Sequence, residues 1–246
     1  MDELVVDDRD GVRTITIDRP EVKNALTAPM RTRFCELIED ADADGALRAV
    51  VVTAVDPVFS AGVDFKEVAA GSGSGAGAAT NPGAALRAAA KPVVCAVNGA
   101  CVTGALELAL SCTFIVASER ARFADTHARL NVVAAWGLTA LLPRAVGVRK
   151  AAELSITGNF VDAEEALRIG LVNHVVPHGD LLTFTRALVD DIAPTAAVGH
   201  VLDLYRRGDG LPLADALELE AAHAATQRVD AAAFGAAGAA AAARQR

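Results

Sequence analysis

The run Lys91-Pro92-Val93-Val94-Cys95-Ala96-Val97-Asn98-Gly99, leading through Ala100-Cys101-Val102 into Thr103-Gly104-Ala105-Leu106-Glu107-Leu108-Ala109-Leu110, decides how this chain folds. A β-branched apolar run, a turn dipeptide and small residues opening an apolar helix predict a strand, a short loop and a helix that starts at Gly104. A helix start leaves N–H groups without intrahelical acceptors and carries the positive end of the macrodipole. The N–H of Gly104 is therefore placed to stabilise an anionic oxygen, and glycine lets a ligand reach the main chain. Glu107 follows one turn later on the same side. A carboxylate beside such a donor suits proton transfer next to a polarised carbonyl. It is the one charge in its segment, and burial of an unpaired carboxylate is costly, which favours a chemical role over packing.

Working outward, Ala49-Val50-Val51-Val52-Thr53-Ala54 repeats the buried-strand pattern and precedes Phe59-Ser60-Ala61-Gly62-Val63-Asp64-Phe65-Lys66. Small residues there admit a ligand to the backbone, and the N–H of Val63 is a second candidate donor. Strands are predicted over 4–7 and 12–18, with a turn at Asp10-Gly11, and a helix over 28–44. The unit recurs as strand 93–97, helix 104–111, strand 114–117 and short strand 122–124, with helices from about Thr139. Two strands and a helix in repetition predict an α/β spiral of stacked β-β-α turns. Gly71 to Gly83 reads as a glycine-rich surface loop, since it lacks the Lys-Ser/Thr ending of a phosphate loop. Beyond Pro177 come helices over 179–193, 196–206 and 213–234 with no strand between them, then an Ala/Gly-rich frayed tail.

The chain has 246 residues, enough for one large core with a small appendage, and a formal net charge of −8. That charge excludes a nucleic-acid surface, which needs a basic stripe. No uncharged apolar run reaches the length of a membrane span, and the acidic start lacks a basic leader, so a cytoplasmic protein is expected. Cys35, Cys95, Cys101 and Cys112 lack metal-type spacing and are expected to be inert thiols, with Cys101 the one alternative nucleophile. His174 and His178 stand four apart, but the Val175-Val176-Pro177 between them reads as strand and turn, so no metal site is expected.

The pair FSAGVDFKE and AVNGACVTGALELA resembles the enoyl-CoA hydratase/isomerase (crotonase) superfamily. Arg19-Pro20-Glu21-Val22-Lys23-Asn24-Ala25-Leu26, Leu154-Ser155-Ile156-Thr157-Gly158 and Ala166-Leu167-Arg168-Ile169-Gly170-Leu171-Val172 are similar to its further signatures. The resemblance implies a β-β-α spiral core over 1–190 and a helical oligomerisation segment over 191–246, assembled as a homotrimer or a dimer of trimers. It implies an acyl-CoA thioester as substrate and no separate cofactor. It assigns Val63 and Gly104 to an oxyanion hole for a thioester enolate, and Lys23, Asn24, Ala25, Ala61, Gly62 and Asp64 to the coenzyme A path. Glu107 matches the first of two hydratase glutamates. The second falls on His127, with Asp125 beside it as a weaker substitute. An ordinary histidine titrates near 6.5, so Glu107 and His127 retain a base and an acid of unlike character. Asn131-Val132-Val133-Ala134-Ala135-Trp136-Gly137-Leu138 stands where the family usually carries a loop with a Pro-Gly pair, and Trp136 is expected to pack in the core or against acyl carbons in the acyl pocket. Hydration of a trans-2-enoyl-CoA is the leading expectation. Double-bond isomerisation or decarboxylation through the same enolate, or non-catalytic acyl-CoA binding, are the alternatives.

Overall fold

The computed structural model describes residues 3–69, 80–228 and 234–235. Strands β3 (Ala49–Ala54) and β5 (Val93–Val97) are buried along their whole length. A parallel strand covered on both faces has no solvent side to alternate toward, hence the unbroken apolar runs. Both lie inside a six-stranded sheet in the order β1 (Leu4–Arg9), β2 (Val12–Ile17), β3, β5, β7 (Phe114–Ser118), β10 (His174–Val176). β1 and β2 form an antiparallel hairpin and the other neighbours are parallel. Its turn holds Asp10 at φ 53° and Gly11 at φ 75°, the two left-handed positions that match strand twist.

A smaller sheet runs β4 (Val58–Ser60), β6 (Ala100–Val102), β8 (Arg122–Ala124), β9 (Val161–Asp162). The chain steps from the large sheet to the small one in each repeat, from β3 to β4, β5 to β6 and β7 to β8, which gives the expected α/β spiral. One local expectation is corrected here: 100–102 is strand β6, not loop. Three residues are too few to establish a period, and what makes them a strand is pairing on both sides, Cys101 with Ser60 and with Phe123.

Alternation within the large sheet divides its side chains between two layers. Val50, Val52, Val93, Cys95 and Val97 join the main core with Leu106 and Leu108 of α4 (Gly104–Ser111). Val51, Val94, Ala96 and Val116 face the other way and are covered by Leu181 and Val189 of α8 (Leu181–Asp190). Each such side chain stabilises by about 1.5–3 kcal/mol when fully buried. Helix α1 (Ala28–Ala43) is capped by Thr27, whose hydroxyl accepts from Met30 N at 3.4 Å. After α2 (Phe65–Ala69), α3 (Pro82–Ala88) is capped by Asn81, which accepts from Ala84 N at 2.9 Å. The supposed loop from Gly71 thus ends before Pro82 and Gly83, and its part up to residue 79 lies outside the described residues.

Helices α5 (Leu138–Val146), α6 (Val148–Thr157) and α7 (Ala163–Arg168) complete the first of two compact units, Met1–Gly199. The second, His200–Arg246, holds most of α9 (Ala196–Gly208) and α10 (Leu213–Thr226). α8 is preceded by a 3-10 turn at His178–Asp180, and α10 ends at Thr226 because Gln227 turns to an extended conformation. Both helices are shorter than the sequence pattern predicts. The tail from 236 onward lies outside the described residues. Among the described residues no helix is long and apolar enough to cross a membrane.

Candidate active site

Helix α4 begins immediately after Thr103, whose backbone sits at φ 59°, ψ −111°. A β-branched residue at positive φ is strained by on the order of 1–3 kcal/mol, so its surroundings must hold it there. They do so at three points. Thr103 N donates to Ala124 O at 2.9 Å, Thr103 O accepts from Glu107 N at 3.1 Å, and the Thr103 and Thr126 hydroxyls are bonded at 2.5 Å. The sharp turn ends β6 and brings Gly104 to the wall of a cavity of about 510 Å³.

Val63 reaches the same wall from the preceding coil of the spiral. Gly62 makes this possible: at φ 89° it accepts a conformation few side chains adopt, and a Cβ there would stand 2.8 Å from Gly104 N. A Cβ on Gly104 would in turn lie 3.4 Å from Val63 N. The adjacent amides are all engaged, Leu26 N with Gly62 O at 2.8 Å, Ala61 N with Lys23 O at 3.0 Å and Asp64 N with Leu26 O at 3.0 Å. The N–H groups of Val63 and Gly104 have no acceptor among the described residues. Two neighbouring free donors, one of them at a helix start, have the geometry that suits an anionic oxygen.

Glu107 projects into this cavity from the first turn of α4 and is only 2% exposed. Its Oε1 accepts from Trp136 N at 2.6 Å and Leu138 N at 3.3 Å, leaving Oε2 to face His127 Nε2 at 3.5 Å. On the far side, His127 Nδ1 is 2.6 Å from Asp125 Oδ1, which also accepts the His127 backbone N–H at 3.1 Å. Asp125, His127 and Glu107 therefore stand in line with the imidazole in the middle. Burial lowers the proton affinity of His127, but the hydrogen bonds and charges of Asp125 and Glu107 outweigh it and raise its pKa to about 9. Burial raises Asp125, yet the bonds from His127 and Ser155 prevail and hold its pKa below the ordinary carboxylate value. At neutral pH His127 is therefore an imidazolium, moved above the ordinary 6.5 by its two carboxylate neighbours.

Trp136 is 1% exposed and closes the cavity beside Gly104. Ala25, Ala61 and Asp64 line the same space, whereas Lys23, Asn24 and Gly62 do not. Asn24 is corrected outright. Its side chain is buried and consumed by the fold, Oδ1 accepting from Arg19 N at 2.8 Å and Nδ2 donating to Val55 O at 2.7 Å and Val58 O at 2.6 Å. It sets the loop and has no polar atom left for a ligand. Lys23 is exposed, and its carbonyl fixes Ala61. Asp64 holds Arg19 Nη1 at 3.0 Å and accepts from Lys66 N at 3.0 Å; the Arg19 bond lowers its pKa against the effect of burial. Lys66, at the end of the quoted FSAGVDFK run, is a cationic wall residue that the sequence reading passed over.

Cys95 and Cys101 are buried and their thiol pKa values are raised by that burial, so Cys101 is no nucleophile. His174 packs at a tilt against Phe184, 5.1 Å between centroids. His178 lies 3.0 Å from both Ser118 Oγ and Asp56 Oδ2. That trio has the composition of a hydrolytic triad, but Ser118 is wholly buried and cannot meet a substrate. Among the described residues no group of three or more His, Cys, Asp or Glu could hold a metal ion.

The sequence profile of the family described as enoyl-CoA hydratase/isomerase matches residues 7–233. The chain belongs to that family. A relative in Arabidopsis thaliana named "Probable enoyl-CoA hydratase 1, peroxisomal" is 36% identical over 87% of this chain and 83% of its own. The crystal structure of an enoyl-CoA hydratase from Mycobacterium tuberculosis H37Rv is 44% identical with a TM-score of 0.78, covering 90% of this chain and 97% of that one. Another enoyl-CoA hydratase, from Bacillus anthracis, is 27% identical with a TM-score of 0.83 over 89% and 88% of the two chains.

Proposed function

We propose that the protein is an enoyl-CoA hydratase that adds water to a trans-2-enoyl-CoA to give the 3-hydroxyacyl-CoA. The observation that carries this is the line Asp125–His127–Glu107, whose His127 and Glu107 share one cavity with Val63 and Gly104. Glu107 takes a proton from water as the water oxygen bonds to C3. The electron pair of the double bond moves onto the thioester oxygen, where the two amides meet the developing charge. Loss of one such donor costs roughly 3–4 kcal/mol of transition-state stabilisation. The His127 imidazolium then delivers its proton to C2. Turnover leaves Glu107 protonated and His127 neutral, and the 3.5 Å between Oε2 and Nε2 lets that proton return directly.

A carboxylate with an imidazolium thus performs the base and acid roles of two carboxylates. Lys66 at the cavity wall supplies positive charge for the phosphates of coenzyme A, with Ala25, Ala61 and Asp64 along the path. Trp136 bounds the acyl group. Assembly through the second unit is supported by its exposed apolar side chains, Tyr205 at 73%, Leu213 at 76% and Leu217 at 56%, which a homotrimer or a dimer of trimers would cover.

Crotonyl-CoA tests the reading. Disappearance of the enoyl absorbance with formation of 3-hydroxybutyryl-CoA is expected; conversion of a 3-enoyl-CoA without hydration of the 2-enoyl isomer would replace it with isomerisation. Tight binding without turnover of either would leave an acyl-CoA binder.

A further inference from the structure

Arg87 of α3 reaches under the loop that carries Trp136. Its Nη1 donates to Trp136 O at 2.6 Å and to Ser111 Oγ at 2.9 Å. Ser111 Oγ in turn donates to Glu107 O at 2.8 Å, while the N–H of Trp136 donates to Glu107 Oε1 at 2.6 Å. One guanidinium nitrogen therefore grips both ends of Glu107, the backbone through Ser111 and the carboxylate through the residue whose carbonyl it holds.

Two glycines make the space. A Cβ on Gly83 would stand 2.6 Å from Trp136 O, 2.9 Å from Arg87 Nη1 and 3.0 Å from Ser111 Oγ, the three atoms of the junction. A Cβ on Gly137, at φ 121°, would lie 2.9 Å from the same Nη1. Trp136 O and Ser111 are buried, so without the guanidinium the carbonyl loses a charged donor and must turn toward another. Rotation of that carbonyl moves the loop whose Trp136 and Leu138 amides aim the Glu107 carboxylate.

We propose that Arg87 is a positioning residue for Glu107: it fixes the Trp136 loop, and through it the direction of the carboxylate and the wall of the acyl pocket. The catalytic consequence rests on the hydratase reading; the hold on the loop does not. Trp136 is the only tryptophan in the chain, so its fluorescence reports the loop with or without turnover.

The test is Arg87→Met, with fold checked by circular dichroism. Expected are kcat for crotonyl-CoA lowered about tenfold or more with KM within about twofold, and a shift of Trp136 emission to longer wavelength. A folded variant with wild-type kcat and emission overturns the proposal, as does a loss of rate carried by KM alone with emission unchanged. If the methionine variant does not fold, Arg87→Lys is read in the same way. Its stem ends one bond short of Nη1 and cannot hold both oxygens where they are, so wild-type kcat and emission in that variant also overturn it. Wild-type protein that fails to hydrate crotonyl-CoA refutes the hydratase reading alone, because the emission shift still measures the grip of Arg87.

Discussion

Replacement of Asp125 by asparagine removes one of the two carboxylates that keep His127 protonated. In the wild type the imidazolium persists to about pH 9 because Asp125 and Glu107 together overcome burial. The hydration rate is expected to hold through neutrality and to fall as pH rises through about 9. Without the Asp125 charge and its 2.6 Å bond, burial and Glu107 remain, and the alkaline limb moves down. If His127 returned to its ordinary 6.5, its protonated fraction at pH 8 would drop from about nine-tenths to about one-thirtieth, a loss of about 30-fold in kcat. At pH 6 the two proteins would differ far less. The same displacement acts on stability with a definite sign. A histidine whose folded pKa exceeds the unfolded value contributes fully below 6.5 and loses that contribution as pH rises through 9, about 3 kcal/mol across the window. Initial rates with crotonyl-CoA at pH 6 to 10, alongside urea midpoints at pH 6 and 9, measure both. An Asp125→Asn limb that stays at about 9, or a wild-type rate that changes with an ionisation near 6.5, would refute the reasoning.

Three further outcomes follow from the site. Glu107→Gln keeps an oxygen for the Trp136 and Leu138 amides but cannot accept the proton, so kcat falls by about a hundredfold or more while coenzyme A affinity, measured calorimetrically, is nearly unchanged; ordinary activity would make Glu107 structural. Gly62→Ala places a methyl 2.8 Å from Gly104 N, parts the two amides and lowers kcat by about a hundredfold or more, and a folded variant of normal kcat would remove Val63 and Gly104 from catalysis. Lys66→Ala raises KM several-fold with kcat retained, an effect that shrinks as salt screens the phosphates; equal KM at low and high salt for both proteins would show that Lys66 meets no phosphate.

Much of this was legible because it is local. A helix start at Gly104 with Glu107 one turn on is written in eight consecutive residues, and buried parallel strands announce themselves as runs of valine. The neighbourhood of Val63 and Gly104 is another matter: it depends on the register of β4 against β6, and no local pattern encodes register between three-residue strands. Family resemblance supplied that pairing. It misplaced Asn24, because the chain passes the cavity there while the side chain turns inward to three backbone partners. His127 was found by counting, but its proton is set by Asp125 from its own turn and Glu107 from another coil. Lys66 and Arg87 carry no local signature at all; each becomes meaningful only through what the fold brings against it.

The N–H groups of Val63 and Gly104 belong to successive coils of the spiral, and the strand pairing between β4 and β6 holds them side by side. The covalent segment joining them does not. The spacing of the amides therefore depends on β4 and β6 keeping their pairing, and not on how many residues link one strand to the other. A change in the length of that link which leaves α3, β5 and β6 in place leaves both donors where they are.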